Sequence, residues 1–379
     1  MNIKQRNKTF FIAFAAIWIG LILWNIFTPA TEFSESENRY LKTFPTFSIR
    51  RLLDGDFMDD VNIYLNDQFA GRPIWVSGQS LLEFALGKRE INTVFIGHDA
   101  LLGDNPLPDS DVTQKNIEGI NAFAERYKIP TYFLLAPTAT QIQDDKLPLF
   151  ASGWDELEYI SIVNGSLHEN ITPVAIAEIL HENQNEYIYF HTDHHWTADG
   201  AYLAYQKLAA AMGLAEHQKS EFHQEILSEN FYGSLHSKTG FPLVTPDTIR
   251  KYTLGKALAY TVFDGTNTTE YPGIYFDEFL DKKDQYSYFL GQVQPHVTIK
   301  TDAAVNRKLI VFKDSYAHIL IPMILSDFRE ITLVDLRFIN SQDFEDVLAI
   351  TNYDEALFLY NTSVFSQQIG AAKFMQQTE

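Results

Sequence analysis

The chain has 379 residues, of which 46% are hydrophobic and 14% aromatic, so it can bury a large core and is not expected to be disordered over most of its length. Its formal net charge of −20 argues against nucleic acid as a partner, because such binding depends on Lys and Arg side chains that neutralise phosphates. The absence of cysteine excludes disulfide bonds and thiolate chemistry.

The N-terminal segment has the pattern of a membrane anchor. Three basic residues within 1–8 precede an uncharged stretch that contains an apolar run from 10 to 27, about the length that a helix needs to cross a bilayer. This pattern predicts a cytoplasmic segment at 1–8, a transmembrane anchor at 9–28 and a single-pass protein of the cell membrane whose remainder is extracytoplasmic. A cleaved signal peptide is the alternative, although the apolar run is longer than the roughly 7–15 residues of a signal-peptide core.

Residues 29–88 are predicted to form a linker and a helical lead-in. The first part is polar and of mixed charge, whereas apolar side chains recur at helical spacing from 51 to 87. The spacing predicts one or two helices in this part. Gly87 ends the pattern, so the main domain is expected to occupy 89–379.

Short apolar segments alternate with helical segments through the main domain. Helices are expected at 112–127 and 201–212, and Gly213 closes the second. The alternation predicts an α/β fold built on a parallel sheet. Candidate strands are 93–97, 130–137, 173–176, 186–190, 309–312, 331–334 and 356–360.

Residues from about 220 to 306 interrupt this alternation. Their apolar segments are rich in Tyr, Thr and Phe and are separated by Gly and Asp. Such a pattern is typical of antiparallel strands joined by tight turns. The sequence therefore predicts a β-rich insertion within the main domain.

Imidazole and carboxylate groups are concentrated at 191–195, and Asp193 and His195 are the candidates for a catalytic dyad. If the loop turns, the carboxylate can hold the imidazole in the tautomer that leaves its other nitrogen free as a base. A base requires a nucleophile, and Ser315 follows the apolar strand 309–312 and precedes a helix-like run. A serine at such a turn would present its hydroxyl above the sheet, near a helix N-terminus that stabilises an oxyanion.

Simpler explanations of these residues remain open. Asp314-Ser315 is also the pattern of a helix N-cap. His191, Asp193 and His195 alternate as metal ligands can, but no His-x-x-x-His or Glu-x-x-His pair accompanies them, so no metal is predicted. Trp196 is expected either to pack in the core or to stack against a sugar ring.

At these residues the sequence resembles a known family. The segment 193–196, Asp-His-His-Trp, is similar to the motif that names the DHHW protein family. Further landmarks of that family follow one another through most of the chain, which makes the resemblance specific. They are 66–72, 94–97, 136–139, 145–148, 231–235, 313–317 and 333–337.

The DHHW family is in turn similar to the periplasmic alginate O-acetylation proteins, whose Asp-x-His-Trp motif precedes a serine in an SGNH-hydrolase-like domain. This resemblance implies Ser315 as nucleophile, His195 as general base and Asp193 as the carboxylate that orients it. The chain order Asp, His, Ser is the reverse of the order in ordinary SGNH hydrolases. The resemblance therefore implies a circularly permuted version of that fold.

The resemblance also implies candidates for binding the oxyanion or the substrate. Relatives carry a Gly-Gly-Asn-like stretch where this chain has 289–295, so the Gly291 backbone or the Gln292 amide would have to supply an oxyanion donor. The other candidates flank the implied catalytic residues. They are His194, Trp196 and Tyr316.

Taken with the N-terminal anchor, the resemblance implies an extracytoplasmic O-acetyltransferase that acetylates a cell-surface or cell-wall polysaccharide without a cofactor. Because no acetyl-CoA exists outside the cell, it also implies a multi-spanning membrane acyltransferase as acetyl donor. A carbohydrate esterase with the same triad and a non-catalytic polymer-binding or scaffolding module are the alternatives. The negative charge of the chain would repel a highly anionic polymer unless the groove is locally neutral or basic.

Overall fold

The chain divides into two compact units. The computed structural model describes residues 3–264, 267–339 and 348–375. The smaller unit comprises residues 1–88 and 237–242, and the larger unit comprises 89–236 and 243–379.

The smaller unit begins with a long apolar helix. Its elements are α1 (Ile3–Phe27), β1 (Phe33–Ser34), β2 (Arg39–Tyr40), α2 (Ile49–Leu53), α3 (Asp56–Asp67) and α4 (Arg72–Ala85). Helix α1 is 25 residues long, buries none of them and is apolar enough to be a candidate membrane span. The lead-in forms three helices instead of the one or two predicted, because Gly55 and Gly71 adopt left-handed backbone conformations that interrupt the helical path.

The larger unit is built on an eight-stranded mixed sheet with the strand order β11-β10-β12-β14-β13-β15-β6-β7. Strands β14, β13, β15, β6 and β7 run parallel, whereas β12, β10 and β11 continue the sheet in antiparallel fashion. Two smaller antiparallel sheets are formed by β3-β4-β5 and by β8-β9. The strands are β3 (Glu90–Ile91), β4 (Val94–Ile96), β5 (Leu101–Gly103), β6 (Thr131–Ala136), β7 (Ile171–Pro173), β8 (His223–Phe231), β9 (Asp247–Thr253), β10 (Ala257–Phe263), β11 (Thr268–Tyr271), β12 (His296–Thr301), β13 (Lys308–Lys313), β14 (Glu330–Val334) and β15 (Glu355–Asn361).

The central strands of this sheet are buried on both faces. In β13, Leu309 and Val311 belong to one hydrophobic core, to which one long helix, α9, contributes. Ile310 and Phe312 belong to the opposite core, to which the other long helix, α5, contributes. The helices are α5 (Ser110–Tyr127), α6 (Ala139–Ile142), α7 (Glu156–Gly165), α8 (Ala177–Glu182), α9 (Ala198–Met212), α10 (Ser234–Thr239), α11 (Ala317–Leu320) and α12 (Thr362–Phe365).

The α/β fold with a largely parallel sheet is confirmed, but two sequence expectations need correction. The predicted strand 186–190 is wrong, because its backbone pairs with the loop that follows it: Thr197 N–H donates to Ile188 O over 2.9 Å, and Tyr189 forms only an isolated bridge. The predicted strand 173–176 is also wrong in its bounds, because β7 covers Ile171–Pro173 and the apolar residues 174–176 lie outside it. The antiparallel strands expected within 220–306 are confirmed, and β10, β11 and β12 belong to the main sheet. They extend it through the antiparallel pairing of β12 with β14.

Candidate active site

The loop between Tyr189 and Trp196 turns back on itself, which is the condition for its side chains to meet. Phe190 N–H donates to His195 O over 3.2 Å and closes the turn. Asp193 Oδ1 accepts hydrogen bonds from the backbone N–H of His195 at 3.0 Å and from its Nδ1 at 2.6 Å. In an extended strand these two side chains would point to the same side but lie too far apart to bond directly, and the turn brings them into contact.

A second buried carboxylate, Asp247, holds the start of this loop. Its side chain, 1% exposed, accepts from the backbone N–H groups of His191 and Thr192 at 2.8 Å each and from the Tyr187 hydroxyl at 2.7 Å. Burial raises the pKa of Asp247, although these hydrogen bonds oppose the rise. Nothing in the residues next to Asp247 marks it as important, since its partners lie 55 to 60 residues away along the chain.

The segment Gly233-Ser234 packs directly against Asp193. A Cβ atom placed on Gly233 would lie 2.3 Å from Asp193 Cβ, so only glycine permits this close approach. Ser234 N–H donates to Asp193 Oδ2 over 2.7 Å. Both carboxylate oxygens of Asp193 therefore accept hydrogen bonds from the chain.

Ser315 lies two residues after β13, at the carboxyl edge of the parallel sheet, where the loops of α/β proteins carry functional groups. Asp314 accepts from Tyr316 N–H at 2.9 Å and from Asn361 N–H at 2.7 Å, so it caps the turn and ties it to the end of β15. Helix α11 has only four residues, so the helix-dipole effect expected at Ser315 is small. Asp314 thus holds the turn, no side chain among the described residues caps α11, and the Ser315 hydroxyl contacts His195.

Asp193, His195 and Ser315 form one continuous hydrogen-bond chain. His195 Nε2 lies 2.7 Å from Ser315 Oγ, and His195 Nδ1 lies 2.6 Å from Asp193 Oδ1. A carboxylate can only accept, so Nδ1 carries the proton and Nε2 is left to accept the hydroxyl proton of Ser315. This is the tautomer in which an imidazole can act as a base toward a serine.

The environment of Asp193 favours its ionised form. Burial alone would raise the pKa of this carboxyl group, but the charges of His194 and His195 and the hydrogen bonds from His195 and Ser234 lower the pKa well below its usual range. Asp193 and His195 are 3% and 5% exposed, so little water competes for these contacts. Asp193 therefore remains a fixed negative charge beside the imidazole.

Tyr286 supports the imidazole from the side and was not anticipated. Its ring is parallel to the His195 ring, with 3.9 Å between ring centroids and 8° between planes. Its hydroxyl donates to Ser315 O over 2.9 Å. One buried tyrosine thus contacts both the base and the serine backbone. The sequence offered no signal because 285–290 is an ordinary aromatic run.

Two buried basic residues lie next to the serine turn. Lys313 Nζ and His318 Nε2 are 2.8 Å apart. Burial lowers the pKa of Lys313 to about 8, and burial together with the charge of Lys313 lowers the pKa of His318 well below its usual value. The His318 ring is parallel to the Tyr286 ring, at 6.2 Å and 13°. A neutral His318 is the consistent state, since it can then accept from Lys313.

Two of the predicted substrate-binding side chains are in fact buried. Trp196 is 0% exposed, and its Nε1–H donates to Tyr316 O over 3.0 Å. Tyr316 is 1% exposed, and its hydroxyl donates to His194 O over 2.5 Å. The prediction that these two side chains bind the substrate is therefore wrong, because neither side chain has an accessible surface. His194 is half-exposed and contacts Ser234 Oγ through Nδ1 at 2.7 Å, so it stays a candidate.

The predicted oxyanion residues lie in a turn of unusual backbone geometry. Gly291 is buried and has φ of 74°, after Leu290 with φ of 65°, whereas Gln292 is exposed. Within residues 3–264, 267–339 and 348–375, no hydrogen bond joins Gly291 or Gln292 to Ser315 or His195. Their role in binding an oxyanion stays a prediction.

The potential metal ligands in the loop are already used by the chain. The side-chain donor atoms of Asp193, His194 and His195 lie within 4.8 Å of one another, and His191 is not part of the group. Both nitrogens of His195 and both oxygens of Asp193 are hydrogen-bonded, and His194 Nδ1 contacts Ser234. A metal would have to replace these bonds, so the donor set fits a hydrogen-bond chain better than a metal site.

Comparison with known proteins assigns the sequence to a family. No curated protein matches the sequence. The solved structure of a DHHW family protein from Eubacterium siraeum is 25% identical, has a TM-score of 0.64 and covers 76% of this chain and 96% of that chain. The structure of Bacillus cereus PatB1 with a sulfonyl adduct is 20% identical, has a TM-score of 0.63 and covers 74% of this chain and 97% of that chain. The family model described as DHHW protein matches residues 120–334, more than half of the sequence, and the chain therefore belongs to the DHHW protein family.

Proposed function

We propose that the protein is an extracytoplasmic O-acetyltransferase that acetylates a polysaccharide of the cell surface or cell wall. In this proposal, residues 1–8 are cytoplasmic, residues 9–28 anchor the chain in the membrane, and the catalytic domain occupies 89–379. The observation that carries the proposal is the buried hydrogen-bond chain from Asp193 through His195 to Ser315. It contains the three groups that nucleophilic acyl transfer requires, without a cofactor.

In the first step, Ser315 Oγ attacks the carbonyl carbon of an acetyl ester while His195 Nε2 takes the hydroxyl proton. Asp193 stabilises the imidazolium that forms, because its carboxylate accepts from Nδ1. His195 then gives the proton to the departing alcohol, which leaves an acetyl-serine. In the second step, His195 takes a proton from a sugar hydroxyl, whose oxygen attacks the acetyl group. The bond to Ser315 Oγ breaks, and His195 returns the proton to that oxygen.

The backbone next to the nucleophile offers an oxyanion donor. Asp314 N–H donates to Leu359 O, and Tyr316 N–H donates to the Asp314 carboxylate. The N–H of Ser315, between them, has no hydrogen-bond partner among the residues that the structure describes. We propose that it binds the oxyanion of the tetrahedral intermediate, with Gly291 or Gln292 as the source of a second donor.

The chain order of the triad agrees with a circularly permuted SGNH-hydrolase-like fold. Asp193 and His195 precede α9, whereas Ser315 follows β13 in the parallel sheet. A serine at the carboxyl edge of a parallel strand, with both partners earlier in the chain, is the arrangement that the permutation would give. The acetyl donor would come from a multi-spanning membrane acyltransferase, because the proposed site lies outside the cell.

The proposal is tested with the full-length protein in detergent, p-nitrophenyl acetate as donor and an oligosaccharide as acceptor. Ser315→Ala and His195→Ala are each expected to lower nitrophenol release by roughly 10³-fold or more. Phenylmethylsulfonyl fluoride should add one sulfonyl group to the wild type and none to Ser315→Ala. The solved PatB1 structure likewise contains a sulfonyl adduct.

Ser363→Ala is the matched control. Ser363 lies just after the neighbouring parallel strand β15, but its hydroxyl donates to Asn361 Oδ1 over 2.6 Å and not to an imidazole. This variant should retain both nitrophenol release and the sulfonyl adduct. Release of acetate to water alone would favour an esterase. A folded wild type without serine-dependent release would contradict catalysis and favour a polymer-binding or scaffolding module.

A further inference from the structure

A second cluster of polar and aromatic side chains lies beside the proposed triad, on the segment that braces Asp193. Lys283 Nζ is 3.1 Å from His236 Nδ1 and 5.4 Å from the centre of the Tyr232 ring. The Tyr232 and His236 rings are 4.7 Å apart, at 45° to each other. The mechanism proposed above uses none of these three residues.

Lys283 is a half-buried cation without an acidic partner. Among the described residues, no carboxylate lies within ion-pair distance of its ammonium group, and the neighbouring Asp284 accepts from Ser287 Oγ at 2.6 Å. In a chain with a net charge of −20, such isolation of a lysine is unexpected. Burial lowers the pKa of Lys283 to about 8, against the opposing effect of Asp193, so a bound anion would stabilise its charged form.

The cluster is connected to the triad through short contacts. Ser234, which lies between Tyr232 and His236 in the sequence, bonds to Asp193 through its N–H and to His194 through its hydroxyl. The His194 and His195 rings are 3.8 Å apart. Lys283 also shares a short segment with Tyr286, the residue that stacks on His195. The two clusters are therefore connected through Ser234 and His194.

We propose that Tyr232, His236 and Lys283 form a subsite for an acidic sugar of the acceptor polysaccharide. The Lys283 ammonium binds a carboxylate or phosphate group of that sugar, and the accessible part of the Tyr232 ring packs against the sugar. His236 holds Lys283 in place through the contact at Nδ1. This inference rests on the proposed acetyl transfer, because the acceptor is a substrate of that reaction.

The subsite also addresses a problem that the overall charge poses. A protein with a net charge of −20 repels an anionic polymer at long range, and a cation that interacts electrostatically with Asp193 offsets this repulsion locally. An interaction between a charged donor and a charged acceptor contributes more than one between neutral groups. Acceptors that bear an acidic group should therefore be preferred over neutral acceptors of the same size.

The test compares acetyl transfer to tetragalacturonate, to its uncharged methyl ester and to a phosphorylated neutral tetrasaccharide. The measured quantity is the ratio of kcat/KM for each charged acceptor to kcat/KM for the methyl ester. We expect Lys283→Gln to lower this ratio about tenfold or more, and Lys283→Arg to restore most of it. The charged acceptor with the larger ratio identifies the group as carboxylate or phosphate.

Lys282→Gln is the matched control, because Lys282 is an exposed neighbour that also lies over an aromatic ring, at 4.5 Å from the centre of Phe279. The described contacts of Lys282 include neither Tyr232 nor His236, so the ratio should stay at the wild-type value. A wild type that uses the methyl ester as well as the charged acceptors would overturn the subsite. An unchanged ratio in Lys283→Gln would do the same.

Calorimetric binding to Ser315→Ala separates this inference from the proposed function. Failure of acetyl transfer would reject the reaction, but tetragalacturonate and the phosphorylated tetrasaccharide can still be titrated into this inactive variant. Binding that is weakened about tenfold by the added Lys283→Gln, and not by Lys282→Gln, supports the subsite. Absence of binding, or equal binding to both double variants, overturns it.

Discussion

Asp193 and Asp247 are two buried aspartates that hold the same loop, yet their pKa values shift in opposite directions. Asp193 is also buried, but it accepts a hydrogen bond from the His195 imidazole and lies beside His194, so its ionised form is favoured. Burial raises the pKa of Asp247, whose hydrogen bonds come from backbone amides and from the hydroxyls of Tyr187 and Thr192.

The difference lies in what each partner can do with a proton. An imidazole can take a proton and become a cation, so the carboxylate beside it can stabilise a charge that appears during a reaction. An amide or hydroxyl donor fixes a position but gains no charge. Two residues of the same type and similar burial are thus suited to different tasks: Asp193 to chemistry and Asp247 to the shape of the loop.

The largest expected effect is that of Asp193→Asn on the rate. The amide is neutral and can donate to His195, so the imidazole loses both the correct tautomer and the stabilising charge. We expect kcat for acetyl transfer to fall by roughly 10³–10⁴-fold, measured by initial rates. Asp199→Asn is the control, since Asp199 accepts from the Tyr252 hydroxyl at 2.7 Å and contacts no histidine. A rate within tenfold of the wild type in Asp193→Asn would contradict this role.

Asp247→Asn is expected to act on stability rather than on rate. Its amide NH₂ would face N–H and O–H donors, which leaves buried hydrogen-bonding groups unpaired. We expect the free energy of unfolding to fall by about 2–3 kcal/mol, measured by urea denaturation followed through tryptophan fluorescence. At a temperature where the variant is folded, its rate should stay within about tenfold of the wild type. A loss of rate as large as that of Asp193→Asn would remove the distinction between the two carboxylates.

Gly233→Ala tests the packing beneath Asp193 without altering either carboxylate. The added Cβ would lie 2.3 Å from Asp193 Cβ, so the backbone or the carboxylate has to move. We expect unfolding to become easier by about 1–2 kcal/mol and the rate to fall as well, because Asp193 is displaced from His195. Gly165→Ala in α7 is the control, since nothing lies within 4 Å of its Cβ position. Equal effects of the two substitutions would show that packing at Gly233 is not special.

The elements of the parallel sheet could be predicted because their signals are local. The strands expected at 130–137, 309–312 and 356–360 are each confirmed to within one residue at either end, since short apolar runs between breakers are buried strands in an α/β fold. The run 186–190 is similarly apolar, but the prediction of a strand there is wrong. Its backbone forms hydrogen bonds with the loop that follows it, and the composition of the run does not reveal this pairing.

The candidate site was predictable only in part. Spacing allowed Asp193 and His195 to be paired, but the choice of Ser315 over a simple helix cap came from the resemblance to the DHHW family. Tyr286 and Asp247 contact the loop or the serine from distant parts of the chain, and nothing in their neighbouring residues marks them. Contacts of this kind depend on the topology of the sheet and not on local pattern.

The smallest expected effect is on the pH dependence of stability, where the two aspartates should again differ. Stability rises with pH wherever the unfolded chain binds more protons. The lowered pKa of Asp193 therefore stabilises the folded protein at pH values above about 4, the pKa of an aspartate in the unfolded chain. This stabilisation is lost as the pH falls below about 4. The raised pKa of Asp247 has the opposite effect on stability. Between about pH 4 and that raised pKa, the folded protein binds more protons than the unfolded chain, so stability falls as the pH rises.

Urea denaturation from pH 3 to pH 6 distinguishes the two aspartates. Asp193→Asn should reduce the loss of stability below about pH 4, because the unfolded Asp193 no longer takes up a proton there. Asp247→Asn should make the loss of stability on acidification steeper above about pH 4. The substitution removes a group that stabilises the folded state as the pH falls through this range. His191, whose pKa is lowered chiefly by burial and raised by the charge of Asp247, also destabilises the protein on acidification. In Asp247→Asn the pKa of His191 should fall further, which adds to the steeper loss expected for that variant. Parallel curves for the two variants would mean that Asp193 and Asp247 experience the same electrostatic environment, contrary to the contacts that separate them.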